Sequence, residues 1–121
     1  MKDYQMGAVE ARFAEIIWQK EPISSTELAK LTQEQLSWKK STTYTVLKRL
    51  CDKGIFKNNG GTVTSVISKQ KFYSLQSERF VDDTFNGSLP AFLAAFCAGK
   101  KLTEKEVEHL RKMVRDYEEG K

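Results

Sequence analysis

Between Lys39 and Asn58 the chain carries Lys39, Lys40, Lys48, Arg49, Lys53 and Lys57 against one acid, Asp52, interleaved with Ser41, Thr42, Tyr44 and Thr45. Ammonium and guanidinium groups neutralise phosphates and release their condensed counterions. Hydroxyl groups can meet phosphate oxygens or the edges of bases. Elsewhere the charge is nearly balanced: residues 1–38 hold four basic and six acidic groups, residues 59–99 three of each, and residues 100–121 seven and six. The net charge of +4 is therefore focused on one segment. Its plain alternative is a solvated basic helix face. The hydroxyls interleaved with the charge favour a polyanionic partner.

Catalysis finds little support. There is no Cys/His pair, no glycine-rich phosphate loop after a strand and no carboxylate pair in an apolar setting. Asp82 and Asp83 are adjacent, and adjacent residues on a helix point apart. His109 stands alone in a charged helical segment, which places it on the surface. Cys51 and Cys97 are too far apart for zinc-ligand spacing and too few for a disulfide framework, so both read as buried or half-buried free thiols. The expectation is a protein that is not an enzyme and holds neither metal nor cofactor. The mostly apolar run from Leu89 to Ala98 is too short to cross a bilayer, and the Met-Lys-Asp-Tyr-Gln start has no apolar signal region. No membrane partner and a cytoplasmic location follow.

A first helix is predicted from about Ala8 to Lys20, with Gly7 as N-cap and Val9, Phe13, Ile16 and Ile17 on an apolar stripe. Pro22 breaks it. Ser24-Ser25-Thr26-Glu27 has the form of a capping box and opens a second helix, to about Leu36, that buries Leu28 and Leu31. The third helix should run from Ser41 as N-cap to Lys53. Thr43, Val46, Leu47 and Leu50 repeat as i, i+3, i+4, i+7 and face the core. Ser41, Thr42, Tyr44, Thr45, Lys48 and Arg49 then form the outward stripe, and Gly54 falls where a left-handed cap is expected. Ile55 to Asn58 and Thr62 to Ile67 are strand-like, joined by Asn59-Gly60-Gly61 in a tight hairpin. Trp38 reads as a packing residue at the corner between the second and third helices.

From Ser68 onward the pattern is helical only. One helix carries Phe72, Tyr73, Leu75, Phe80, Val81 and Phe85 and stops near Asn86-Gly87. A shorter one, capped by Ser88, presents Leu89, Phe92, Leu93, Phe96 and Cys97. A last one, launched by the capping box Thr103-x-x-Glu106, carries Val107, Leu110, Met113, Val114 and Tyr117. The 54 residues of 68–121 bury too little surface to be stable alone. They call for a partner, most simply a second copy in a C2 homodimer. The expected interface is Phe80, Phe85, Leu89, Phe92, Leu93, Phe96, Val107, Leu110, Val114 and Tyr117.

The fold class is thus mainly α with a small β-hairpin: a winged helix-turn-helix over residues 1–67, followed by a three-helix dimerisation domain over 68–121. In such a fold the third helix enters the major groove of double-stranded operator DNA and the hairpin lies beside it. Lys39, Lys40, Ser41 and Thr42 suit phosphates at the helix start, where the helix dipole also favours negative charge. Tyr44, Thr45 and Lys48 suit base edges, and Lys57 and Asn58 suit the backbone. Arg49 lies to the side of the stripe, where it can anchor a phosphate or pair within the fold. Two other readings remain open. One is a winged-helix adaptor that binds an acidic protein groove; the other is a ligand-sensing regulator with a tail pocket lined by Phe85, Phe92, Phe96 and Tyr117.

Glu10 and Ile17-Trp18, the run Trp38-x3-Thr42-x2-Thr45-x-Leu47-x-Arg49-Leu50-x2-Lys53-Gly54, then Asn86-Gly87-Ser88-Leu89 and Leu102-Thr103-x2-Glu106 together resemble the BlaI/MecI/CopY family, the penicillinase-repressor type of bacterial transcriptional regulator. The resemblance spans about Met6 to Tyr117. It implies a homodimeric repressor that holds an N-terminal winged helix on a two-fold symmetric operator, released by an inducer or a protease. The β-lactam-responsive members of this family are cleaved at an Asn-Phe bond; the matching position here is Ala95-Phe96. The Cys-x-Cys pairs of copper-responsive members have no counterpart near this C-terminus. The wing tip, Asn59-Gly60-Gly61-Thr62, lacks the basic residue expected in many relatives.

Overall fold

A computed structural model describes residues 5–120, so the first four residues of the expected winged helix-turn-helix domain and the last residue of the expected tail domain lie outside the described residues. Its elements run α1 (Ala8–Lys20), β1 (Ile23–Ser24), α2 (Ser25–Leu36), α3 (Lys40–Asp52), β2 (Phe56–Asn59), β3 (Thr62–Ser65), α4 (Lys69–Phe85), α5 (Leu89–Gly99) and α6 (Glu104–Glu119). This is the expected winged helix-turn-helix followed by a helical tail. Packing divides the chain into two compact units that meet between Glu78 and Arg79. The first ten residues of α4 thus belong with the first unit, beyond the expected boundary at residue 67.

The first unit is built around Phe13, Ile17, Leu28, Leu47, Leu50, Ile55, Phe56, Val63 and Phe72, each at most 2% exposed. They come from the apolar stripes of α1, α2 and α3, from both wing strands and from α4, so one core binds all the elements that flank the basic helix. Val9, assigned to the α1 stripe from spacing, is 53% exposed, and Ala14 is buried in the core instead. Trp18 packs its ring on Phe56 and Phe72 at 5.3 and 5.6 Å and donates its indole N–H to the Ile67 carbonyl at 3.2 Å. That contact seats the start of α4 on α1, with Lys69 adding an ion pair to Glu15 at 2.8 Å.

The wing is a three-stranded antiparallel sheet, ordered β1-β3-β2, rather than a bare hairpin. β1 pairs Ile23 with Val63 and Ser24 with Thr62, and β2 pairs Phe56 through Asn59 with Ser65 back to Thr62. Gly60 and Gly61 make the turn with φ of 58° and 94°, the left-handed conformations a two-residue hairpin needs. Strand β3 ends at Ser65, two residues short of the expected Ile67.

Helix caps follow the sequence in part. Ser24 Oγ accepts the Glu27 N–H at 3.0 Å, but no return bond from the Glu27 carboxylate closes the box. At Thr103 and Glu106 both halves of the box form. The N-cap of α3 is Lys39, whose side chain makes no cap hydrogen bond, rather than Ser41, which lies inside the helix. In the second unit α4 stops at Asn86 and Gly87, both with positive φ, and Ser88 caps α5 through the Ala91 N–H. Phe80, Phe85 and Phe92 stack edge to face with centroids 5.6 to 6.0 Å apart.

Candidate nucleic-acid interface

Helix α3 has one buried face, Thr43, Val46, Leu47 and Leu50. Thr43 is held by the hydroxyl of Thr32, and Thr32 donates in turn to the Ala29 carbonyl at 3.0 Å. This chain of hydroxyls fastens α2 to α3 inside the core. Trp38 closes the corner between them, its ring 5.2 Å from Phe13. Ser37 just before it takes a left-handed φ of 58°, which ends α2 and turns the chain.

The opposite face carries the predicted residues. Lys39, Lys40, Ser41, Thr42, Thr45, Lys48 and Arg49 are exposed and Tyr44 is half-buried. Lys40 Nζ sits 5.9 Å from the Tyr44 ring centroid, within cation–π range. Thr45 Oγ1 donates to the Ser41 carbonyl at 2.9 Å, so toward solvent it offers its methyl and an acceptor lone pair. Lys48 reaches Asp52 at 3.3 Å in an exposed i,i+4 pair. Arg49 does not stand free: its Nη1 donates to Glu10 Oε2 at 2.8 Å. Lys53 donates to the Gln5 carbonyl at 2.6 Å.

The wing adds Lys57 and Asn58, both exposed on β2. Asn58 Oδ1 accepts the Gly61 N–H at 3.0 Å and so braces the turn. Three contacts fix where the wing stands. Ser25 N–H donates to the Gly61 carbonyl at 2.8 Å, β1 pairs with β3, and the Glu21 carboxylate accepts both the N–H and the hydroxyl of Ser65 at 2.8 Å. Glu10 and Glu21 therefore hold the two elements in place, and spacing gave neither that role. Their partners lie 39 and 44 residues away, beyond the reach of any periodicity.

Electrostatics agree with this geometry. The Arg49 hydrogen bond holds the Glu10 carboxyl below its ordinary value, against the opposing effect of partial burial. Burial, aided by Asp52, pushes the Cys51 thiol up, which leaves it protonated and unreactive at neutral pH. Cys97 is exposed within one chain, where a buried or half-buried thiol was expected. Among the described residues no group of three or more His, Cys, Asp or Glu side chains is placed to hold a metal ion, and no helix is long and apolar enough to cross a membrane.

The residues assigned to self-association lie open. Within one chain α5 and α6 bury no residue at all. Phe80, Leu89, Val114 and Tyr117 are 50%, 55%, 60% and 77% exposed, Leu93 and Phe96 are also exposed, and Phe85, Phe92, Val107 and Leu110 are half-buried. A cavity of about 280 Å³ opens between α5 and α6, with Phe92, Leu93, Phe96, Leu102 and Leu110 as its walls and Glu106 and His109 beside them.

Comparison with known proteins places the chain in context. Residues 6–116 match the family model described as penicillinase repressor. The chain is 25% identical over 117 residues to the methicillin resistance regulatory protein MecI of Staphylococcus aureus (strain Mu50 / ATCC 700699), covering 93% of this chain and 95% of that protein. It is 24% identical over 121 residues to the penicillinase repressor of Bacillus licheniformis, covering 97% and 94% respectively. The MecI protein of Mammaliicoccus sciuri is 24% identical over 117 residues.

Proposed function

This chain belongs to the penicillinase-repressor family, a family of transcriptional repressors rather than enzymes, and from that premise we propose that it binds a two-fold symmetric operator as a homodimer and excludes RNA polymerase. The observation that carries the reading is the outward face of α3. A row of hydroxyl and ammonium groups stands exposed on a helix whose other face is locked into the core, with a braced wing beside it.

Lys39, Lys40, Ser41, Thr42 and the first N–H groups of α3 meet phosphates at the helix N-terminus. Tyr44, Thr45 and Lys48 read base edges, with the Thr45 methyl suited to a thymine methyl. Lys57 and Asn58 touch the backbone from the wing. Arg49 is set apart by its bond to Glu10. The first unit reads DNA, and the second brings two copies together. Support for self-association comes from α5, which has no charged side chain between Leu89 and Gly99 and buries nothing within its own chain. A helix apolar all round is stable in water only when covered. The cytoplasm is the matching location.

Replacing Tyr44 and Lys48 together by Ala should weaken operator binding at moderate salt, while Lys112→Ala, on α6, should not. Sedimentation equilibrium of the same proteins should give a dimer. Operator binding unchanged by the double substitution would place the reading face elsewhere.

A further inference from the structure

We propose that Glu10 withdraws Arg49 from DNA and thereby acts as a specificity-determining residue of the recognition helix. The inference rests on the DNA-binding reading and deepens it. Arg49 has two candidate partners, a phosphate of any sequence or a carboxylate of its own fold, and the geometry assigns the second.

Arg49 Nη1 lies 2.8 Å from Glu10 Oε2, and the other Glu10 oxygen accepts the Gly7 N–H at 3.2 Å. The Glu10 side chain is only 17% exposed, against 52% for Arg49. A carboxylate tied at both oxygens and mostly covered is a preorganised acceptor. Moving the guanidinium to a phosphate would break this bond and leave the Glu10 carboxylate without its cationic partner, which opposes the exchange. The depressed carboxyl of Glu10 keeps it charged at neutral pH.

Neighbouring cations follow the same pattern. Arg49 and Lys53, at the end of α3 and its cap, each have an acceptor from outside the helix, Glu10 and the Gln5 carbonyl, whereas the Lys48–Asp52 pair is exposed on both sides and leaves Lys48 available to a base edge. Among the described residues, Lys39 ahead of α3 and Lys57 on the wing form no ion pair. Open charge is thus concentrated at the helix start and the wing, and internal acceptors are concentrated at the helix end. Phosphate contacts at the helix end would add affinity for any duplex without adding discrimination. Compensating Arg49 within the fold suppresses that term.

The test uses the full-length chain, its own promoter duplex and a scrambled duplex, with fluorescence anisotropy at several salt concentrations. Four proteins are compared: wild type, Glu10→Gln, Arg49→Gln and the double variant. Glu10→Gln keeps size and an acceptor oxygen but removes the charge. It should steepen the logarithmic salt slope by about 0.9, so that a fourfold rise in salt costs about 3.5-fold more affinity than in wild type. The promoter-to-scramble ratio should fall. Arg49→Gln should leave the wild-type slope in place, and in the double variant it should cancel the steepening.

A slope flattened by about 0.9 in Arg49→Gln, with Glu10 intact, would make Arg49 a phosphate contact and overturn the inference. So would a Glu10→Gln protein with unchanged slope and ratio. Thermal melts report whether each variant folds. Where Glu10→Gln does not, Glu10→Asp, one methylene shorter, should steepen the slope partially, and no change in that variant also counts against the inference. A wild-type chain that prefers neither duplex overturns the DNA-binding reading itself, and this inference with it. Discrimination by wild type combined with a flattened Arg49→Gln overturns this inference alone.

Discussion

Replacing Thr32 by Val should destabilise the protein more than replacing both Thr32 and Thr43. Both side chains are 0% exposed. Thr32 commits its proton to the Ala29 carbonyl at 3.0 Å, so the bond between the two hydroxyls must take its proton from Thr43. Thr32→Val then leaves a buried O–H donor facing a methyl group, a loss of about 1–3 kcal/mol. Thr43→Val removes only the donor; Thr32 keeps its bond to Ala29, and the cost falls to about 0.5–1.5 kcal/mol. With both replaced, two apolar groups of the same shape face each other, and the cost should lie below that of Thr32→Val alone. Urea unfolding of the three variants, at one fixed protein concentration because the proposed dimer would contribute, gives the coupling as a double-mutant cycle. Costs that add to within about 0.3–0.5 kcal/mol would mean that the two hydroxyls are energetically independent and that the account of how α2 is fastened to α3 is wrong.

Phe72→Ala should cost about 3–5 kcal/mol, because a ring 2% exposed is removed from the core beneath Trp18; urea unfolding followed by tryptophan fluorescence measures it, and a loss under about 1 kcal/mol would detach α4 from the first unit. Ser37→Gly should raise stability by up to about 1 kcal/mol by relieving the left-handed φ of 58°, read as an increase in the urea midpoint. The Glu15 carboxyl is held below its ordinary 4.5 by the hydrogen bond from Lys69. Its contribution to stability is therefore complete above that value and is lost as pH falls through the lower folded one. The gap in melting temperature between wild type and Glu15→Gln should accordingly close on acidification, and a gap that widened would reverse the sign of the linkage.

How much of this was legible in the sequence depended on the range of the interaction. Thr43, Val46, Leu47 and Leu50 announced their face of α3 because helical spacing is local, and Gly60 and Gly61 announced the turn because a positive φ is demanded by two adjacent residues. β1 was invisible: two residues, Ile23 and Ser24, have no period, and only the arrival of Val63 and Thr62 makes them a strand. Moving the α3 N-cap from Ser41 to Lys39 likewise reflects tertiary placement overriding the preference of serine for caps. Arg49 could be located on the side of the helix but not paired, since Glu10 comes from another element. In the tail the apolar stripes gave the helices, whereas no residue of α5 or α6 is buried within one chain.

The most direct test of the central claim is a titration of the purified full-length protein against the promoter of its own gene and a scrambled duplex, followed by anisotropy at several salt concentrations. The account predicts saturable binding of two chains per promoter site, weaker binding to the scramble, and a salt slope of about 0.9 per phosphate contact. Equal, weak and steeply salt-dependent binding to both duplexes would reduce α3 to a basic surface and contradict it.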